Sequence, residues 1–366
     1  MARSIRILAL ITDGFGGHGG ISRYNRDLLT ALSRNEAVAE IVVAPRLGRP
    51  DQGELPPRVR QLPPVFNKIG YSLRAIRHAT MDGPFDAVFC GHILQVPLAA
   101  TVAQGVKVPL WVQLHGIDAW KCPKPVVRWG VEQARMVTVV SRYTKRKLLA
   151  WANVRPERVR VLPNTVSERF SPGPKSDRIL DWYGLRGKRL LLTVSRLDAH
   201  DWEKGHHRVM GVLRELVERY PDLVYVIAGD GPGRGRFERM AQEHGVAEQV
   251  KFIGKIDDRD LPDLYRTADV FVMPSTKEGF GIVFLEAMRS GIPVIGGSED
   301  GSMDPLRDGT AGYAVPCDDR EALIAAILSA LEQPRVSSSD ADIFRFPAFS
   351  THCAALLDHL LAASSC

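Results

Sequence analysis

Short apolar runs alternate with amphipathic stretches along this chain, and the pattern runs through twice. In the first half, apolar runs at residues 6–11, 40–44, 86–90, 110–114, 136–140 and 158–162 read as buried strands, with helices between them at 22–33 and 143–152. The residues after Pro163-Asn164 turn polar and rich in Pro and Gly through Ser171-Pro172-Gly173-Pro174, as a linker does. The alternation then restarts. Strands are predicted at 189–194, 224–228, 251–253, 270–273 and 293–295, and helices at 206–219, 234–244, 261–268, 281–289 and 320–331. Strands separated by helices form parallel sheets covered on both faces. The prediction is therefore α/β, with two doubly wound, Rossmann-like domains in tandem. Such sheets bind ligands beyond the carboxyl ends of their strands, so a cleft between two facing domains is the expected active site. A last stretch, 347–361, reads as a helix that packs back on either domain.

At 366 residues the chain suits two domains, and 45% apolar with 25% charged residues is a globular balance. No apolar run reaches the roughly 18 residues of a membrane span, and no signal peptide is read at the start. Five scattered cysteines without a CxxC suggest neither disulfides nor a zinc site, and a cytoplasmic setting is expected. The net charge of +6 is uneven: residues 1–165 hold 24 Lys and Arg against 11 Asp and Glu, while 166–366 hold 24 against 31. A basic N-terminal half calls for an anionic partner such as a lipid phosphate, an acidic membrane surface or a nucleic acid, or is simply an arginine-rich solvated surface.

Between the first strand and its helix lies a glycine cluster, Gly14-Phe15-Gly16-Gly17-His18-Gly19-Gly20. It brings backbone amides to a phosphate, or it is a structural loop. It is not a dinucleotide fingerprint, because the acidic partner would have to be Glu40, ahead of its strand rather than at its end. The second half is sharper. Ser195-Arg196-Leu197 ends one strand and Lys204-Gly205 precedes a helix, putting two cations where a diphosphate leaving group needs them. Gly229-Asp230-Gly231-Pro232-Gly233 reads as a structural turn. The strand at 270–273 runs into Pro274-Ser275 and then Glu278-Gly279-Phe280-Gly281-Ile282-Val283-Phe284-Leu285-Glu286, where a helix N-terminus welcomes an anion. Glu278 and Glu286 are suited to accept hydrogen bonds from sugar and ribose hydroxyls, although a charge at a helix start also accounts for Glu278.

These residues resemble the retaining glycosyltransferases of family 4, whose fold is called GT-B. The resemblance covers nearly the whole chain and is strongest over 190–315. Its most specific piece is E-x7-E, here Glu278 to Glu286, joined by Lys204-Gly205-His206, Phe252-Ile253-Gly254 and Gly291-Ile292-Pro293-Val294. The resemblance implies that Arg196 and Lys204 bind the donor diphosphate. Glu278 and the backbone of Gly279, Phe280, Gly281, Ile282 and Val283 would meet the transferred sugar, Glu286 the ribose, and the segment from Gly254 to Ile256 the base. Gly16, Gly17, Gly19 and Gly20 would lie near the diphosphate, and His115-Gly116 would form the active-site loop, with His115 orienting the acceptor or the sugar, or else a buried structural histidine. Ser141, Lys145 and Leu162-Pro163-Asn164 match weaker positions. Two departures stand out: Asn164-Thr165 in place of Asn-Gly, and Gly297-Ser298-Glu299-Asp300-Gly301-Ser302-Met303-Asp304 in place of a glycine-rich stretch ending in Pro-Glu.

The implied domains are 1–165, binding the acceptor, 166–345, binding the nucleotide sugar, and 346–366, a helix packing back on them. The implied reaction is transfer of a hexose from a UDP- or GDP-linked donor to an acceptor hydroxyl with retention. The acceptor is a lipid-linked saccharide or glycolipid of envelope or exopolysaccharide assembly, or alternatively a soluble small molecule. Arg196, Lys204 and helix amides would replace a metal, so no metal, cofactor or nucleic-acid partner is expected. The Asp258-x-Asp260 pair stands at a helix start, where Asp caps. The rivals are an epimerase or phosphorylase of the same fold, a nicotinamide-dependent dehydrogenase and a non-enzymatic sugar-binding protein. The basic helix after Ser141, with Leu148, Leu149 and Trp151, is expected to lie on the inner face of an anionic membrane as a peripheral contact.

Overall fold

The computed structural model describes residues 4–17, 19–48, 53–198, 202–333 and 339–362. The chain divides into two compact units, one of residues 1–165 with 346–366 and the other of residues 166–345. Each is a parallel sheet with helical crossovers, the α/β class that the alternation predicts.

Unit 1 runs β1 (Ile5–Ile11), α1 (Gly20–Ser33), β2 (Val38–Pro45), β3 (Val59–Gln61), α2 (Lys68–Met81), β4 (Ala87–Cys90), α3 (Val96–Gly105), β5 (Leu110–Leu114), α4 (Pro125–Glu132), β6 (Met136–Val139), α5 (Arg142–Leu149) and β7 (Val159–Val161). The strands order as β3-β2-β1-β4-β5-β6-β7. β1 lies inside the sheet, between β2 and β4, and is buried at every residue but one, as a strand covered by helices on both faces must be. Its chain neighbours part to opposite sides, β2 to one and β4 to the other, so the crevice of the sheet opens beyond the ends of β1 and β4. Glu40 lies inside β2, where it pairs with Arg6 at 2.6 Å and Arg60 at 2.8 Å, and so has a structural task.

Unit 2 runs α6 (Asp177–Tyr183), β8 (Arg189–Val194), α7 (His206–Arg219), β9 (Leu223–Ala228), α8 (Arg234–Glu243), β10 (Val250–Gly254), α9 (Leu261–Thr267), β11 (Val270–Met273), α10 (Ile282–Arg289), β12 (Val294–Gly297), β13 (Tyr313–Val315) and α11 (Arg320–Glu332). The order β10-β9-β8-β11-β12-β13 puts this unit's switch point between β8 and β11. One expectation needs correction here. Asp260 does precede α9, but its carboxylate makes no cap hydrogen bond and instead takes Arg178 at 2.8 Å.

The last helix, α12 (Phe346–Ala362), belongs to unit 1 and packs on α1. Phe349, Cys353, Leu357, Leu360 and Leu361 are its buried face, and the Phe349 ring meets Tyr24 edge-on at 5.9 Å. This settles which domain the closing helix packs on. Cys90, Cys122, Cys317 and Cys353 are free thiols. We expect Leu357→Ala to destabilise unit 1 by about 2–5 kcal/mol, because Leu357 is fully buried and the site cannot close over the cavity left behind. Denaturant unfolding followed by proteolytic fragments will show unit 1 opening earlier, with unit 2 unchanged.

Candidate active site

The crevice of unit 2 is bordered by the loop after β8 and the loop after β11. The two are stitched together. Thr276 donates its amide to the Glu203 carbonyl at 2.8 Å, Lys277 pairs with Glu203 at 2.5 Å, and Lys204 Nζ reaches Glu278 at 2.7 Å. Gly205 makes the approach feasible: with φ of +80°, a Cβ there would stand 2.3 Å from the Pro274 carbonyl. Lys204 and Glu278, 74 positions apart in sequence, are therefore brought together, each with under a fifth of its side chain exposed.

Arg196 lies on the same edge and is exposed, with no ion pair among the described residues. Its loop rests on the glycine turn after β9. A Cβ at Gly229 would fall 1.7 Å from the Ser195 carbonyl and one at Gly231 2.2 Å from that of Leu197, while Gly233 donates to Leu197 O at 2.8 Å. The Gly229–Gly233 turn is structural, as expected, and what it supports is the Arg196 loop. From beneath, Ser195 Oγ meets His206 Nε2 at 2.9 Å and His206 Nδ1 meets the Tyr225 hydroxyl at 2.9 Å. Tyr225 meets Thr193 at 2.8 Å, and Thr193 donates to the Val272 carbonyl. Burial, together with the charges of His207 and Lys204, pushes His206 down to about 3, so it is neutral at the base of α7.

Glu278 is held by a group that the sequence reading named only as a departure. Asp300 is 1% exposed and accepts from the Glu278 amide at 2.7 Å, the Ser275 hydroxyl at 2.8 Å and the Ser302 amide at 2.8 Å. Gly301 donates to the Glu278 carbonyl at 2.8 Å. Burial pushes the Asp300 carboxyl up to about 6 against these donors, with the Glu278 charge adding to the rise. α10 then begins at Ile282 behind Gly281, whose φ is +87°. The first-turn amides of a helix have no intrahelical partner. The Gly279 amide already meets its neighbour's carboxylate at 3.1 Å, and the Phe280 ring is buried against Phe344, so Phe280 offers a ligand only its backbone. Ile282 and Val283 are half-buried. Glu286 is 2% exposed and accepts from the Tyr265 hydroxyl at 2.9 Å, one turn behind Glu278's end of the helix. Gly254 ends the edge strand β10 and Ile256 follows it in the loop, with β9 between that strand and β8.

In unit 1 the glycine loop follows β1 and is pinned by β3, an edge strand that the sequence reading did not anticipate. Gln61 accepts from the Phe15 amide at 3.0 Å and donates to its carbonyl at 2.8 Å. Gly16 has a φ of +89°, and a Cβ on Gly17 would meet the Asp13 carboxylate at 1.9 Å. Gly19 caps α1 without a side chain, Gly20 is its first residue, and the space beside both is open. His18 lies outside the described residues. His115, at the end of β5, has Nε2 2.8 Å from the Gly91 carbonyl. A carbonyl only accepts, so Nε2 carries the proton and Nδ1 is left as an acceptor. Burial lowers its pKa and keeps the ring neutral. It thus ties the β5 loop to the β4 loop at the crevice.

Ser141 caps α5 through the Thr144 amide at 3.1 Å. The membrane expectation for this helix fails. Leu148 is buried, Leu149 and Trp151 pack on the core, and the Trp151 indole donates to the Ala119 carbonyl at 2.8 Å, so no apolar face is left for lipid. The exposed apolar residues lie elsewhere. Among the described residues, ten of the twelve large apolar side chains most open to solvent are in unit 1, including Ile69, Leu73 and Ile76 on α2.

Comparison with known proteins decides the family. Residues 183–343 match the family described as Glycosyl transferases group 1, and residues 18–170 match Glycosyltransferase Family 4. The chain belongs to the family 4 glycosyltransferases. Among its relatives is the GDP-mannose-dependent α-(1-6)-phosphatidylinositol monomannoside mannosyltransferase of Mycolicibacterium smegmatis, 34% identical over 60% of each chain. The match therefore spans less than two thirds of that relative. The Mycobacterium tuberculosis protein of the same name is 27% identical over 85% of each. The α-D-kanosaminyltransferase of Streptomyces kanamyceticus is 26% identical over 71% of this chain and 68% of its own. In structure, the Anabaena protein HepE, solved with UDP and glucose, aligns at a TM-score of 0.77 over 97% of this chain and all of its own, at 19% identity. The GT-B fold is thereby shown for this glycosyltransferase.

The buried Asp300 has a measurable consequence. Its folded-state pKa of about 6 lies above the roughly 3.9 of an unfolded aspartate, so the folded chain holds the extra proton between those values. Stability therefore falls as pH rises through that window, by up to about 1.4 kcal/mol per pH unit. Asp300→Asn should remove this share of the slope in urea unfolding of unit 2, while Asp27 of unit 1, also pushed up to about 6 by burial, keeps its own.

Proposed function

We propose that the chain transfers mannose from GDP-mannose to a hydroxyl of a lipid-linked acceptor, retaining the anomeric configuration and without a metal. The observation that carries this reading is the Lys204–Glu278 pair at the switch point of unit 2, beside the start of α10. An incoming sugar diphosphate offers each member a new partner: a phosphate for Lys204 and a sugar hydroxyl for Glu278. The relatives named for GDP-mannose and phosphatidylinositol mannosides support the donor and the acceptor class.

In this scheme Arg196, Lys204 and the amides of Gly281 and Ile282 receive the charge that grows on the diphosphate as the sugar–oxygen bond breaks. The acceptor hydroxyl attacks from the same face and passes its proton to the departing phosphate oxygen, so no enzyme carboxylate becomes glycosylated. Glu286 would meet the ribose, the backbone from Gly254 to Ile256 the base, and the glycine loop of unit 1 the diphosphate. His115 would orient a hydroxyl through its free Nδ1.

The donor test needs no acceptor. Incubation with GDP-mannose, GDP-glucose, UDP-glucose and UDP-galactose is expected to release GDP slowly from GDP-mannose, unaffected by EDTA. Lys204→Ala should lower that rate by about 10²–10³-fold, the usual loss when one charge-stabilising donor is removed. Turnover of UDP-sugars alone, or activity that EDTA abolishes and Mg²⁺ restores, overturns the donor or the metal part.

Membrane contact, in this reading, falls to α2. At 100° per residue Ile69, Leu73 and Ile76 share an arc of about 60°, flanked by Lys68 and Arg77. The protein should sediment with vesicles of phosphatidylglycerol and not with phosphatidylcholine, and the double change Ile69→Ser with Leu73→Ser should leave it in solution. Equal partitioning to both vesicles sinks the idea.

A further inference from the structure

Unit 1 contains a cavity of about 490 Å³ that the donor chemistry does not use. Arg46, directly after β2, and Leu94 and Gln95, in the turn between β4 and α3, form one side, while α2, α3 and α4 close it with Lys68, Leu98 and Trp129. α4 lies this near to α3 because residue 130 is glycine; a Cβ there would stand 2.9 Å from the Val96 side chain.

The polar groups here are unsatisfied. Gln95 is 5% exposed, and neither atom of its amide has a hydrogen-bond partner. Arg46 Nε is buried and equally without one. Neither Arg46 nor Lys68 makes an ion pair among the described residues. Arg6 and Arg60, by contrast, pair with Glu40, and Arg128 with Glu132. Buried amides are nearly always hydrogen-bonded in folded chains, and an exception beside two unpaired cations is the signature of a place kept for a ligand. That ligand is anionic, and it is also apolar in part. Leu94 is 69% exposed and Trp129 37% exposed on the lining, which is surface that a free sugar phosphate would leave wet.

We infer that this cavity seats the phosphate-bearing head of a lipid acceptor. Arg46 and Lys68 neutralise the phosphate, the Gln95 amide turns to the hydroxyls of the head, and the chain leaves across Leu94 and Trp129. The inference rests on the reading that the acceptor is lipid-linked and adds where its head is held.

Direct binding tests it with the full chain and no donor present. Isothermal titration with monomeric dihexanoyl phosphatidylinositol should give an affinity at least about tenfold tighter than with inositol 1-phosphate or with dihexanoylglycerol. Lys68→Ala should weaken the lipid and inositol 1-phosphate by about tenfold and leave dihexanoylglycerol unchanged, since only the first two bear the charge. Trp129→Ala should do the reverse for the two fragments. Gln95→Met is the discriminating variant. A merely structural amide without partners would on replacement raise the melting temperature and leave binding alone, whereas a ligand-binding one raises the melting temperature by a few degrees and weakens the lipid. Inositol 1-phosphate binding as tightly as the lipid would assign the cavity to a free phosphate and overturn the proposal. So would lipid affinity unmoved by Lys68→Ala and Gln95→Met. The two readings fail separately. A protein that binds the lipid through these residues but glycosylates no lipid loses the transfer reading and keeps the cavity. One that mannosylates a phospholipid with the same KM in Lys68→Ala and Trp129→Ala loses the cavity and keeps the transfer.

Discussion

A strand can run parallel to its neighbour only if the chain returns to the starting edge, and it does so here mostly through a helix; the short edge strands β3 and β13 are reached without an α-helix among the described residues. That return journey fixes where chemistry can occur. Every loop that follows a strand opens on the same edge of its unit, and the two that flank a reversal in strand order part to leave a crevice. Arg196, Lys204 and Glu278 are there in unit 2 for this reason, as are the glycine loop and Gly91 in unit 1. Burial on both faces leaves the strands no choice of register, and the loops inherit that rigidity.

What the loops then need is backbone contact rather than side-chain bulk. Gly229, Gly231 and Gly233 let one turn slide beneath the residues that carry Arg196, and Gly205 lets α7 begin against Pro274. Asp300 acts from the other side, taking three donors with one carboxylate and so holding the Glu278 amide in place. A carboxyl so thoroughly removed from water raises its own pKa, and the fold carries that strain next to its most polar residues.

The long, strongly apolar strands were readable because they are buried on both faces, and β5, β8 and β11 begin and end where the sequence places them. β3 and β13 were not readable. Each has three residues and lies at a sheet edge, and β3 sits among prolines with no apolar run to mark it. α2 was missed because its apolar residues face two ways, Tyr71 and Ala75 inward and Ile69 and Leu73 outward, which blurs a one-sided stripe. The reverse mistake was made with α5, whose basic and apolar residues look like a membrane helix while its apolar side is spent on the core. Of the candidate site, the charged residues that end strands were legible. Asp300 was not, because nothing in Glu299-Asp300-Gly301 says that a side chain will fold back onto an amide 22 positions earlier. Gln61 escaped for the same reason.

Unit 1 is not continuous in the chain. Its sheet ends before residue 166, and its last helix, α12, comes after all of unit 2, past a point where Val166 donates to the Phe344 carbonyl at 3.1 Å. During synthesis the sheet of unit 1 therefore emerges first with the apolar face of α1 still uncovered, while unit 2 can close once residue 345 is made. The ribosome delivers the cover for Tyr24 last. A nascent chain halted just after residue 345 would hold a complete unit 2 and a unit 1 with an open seam, the stage at which this protein most needs a chaperone.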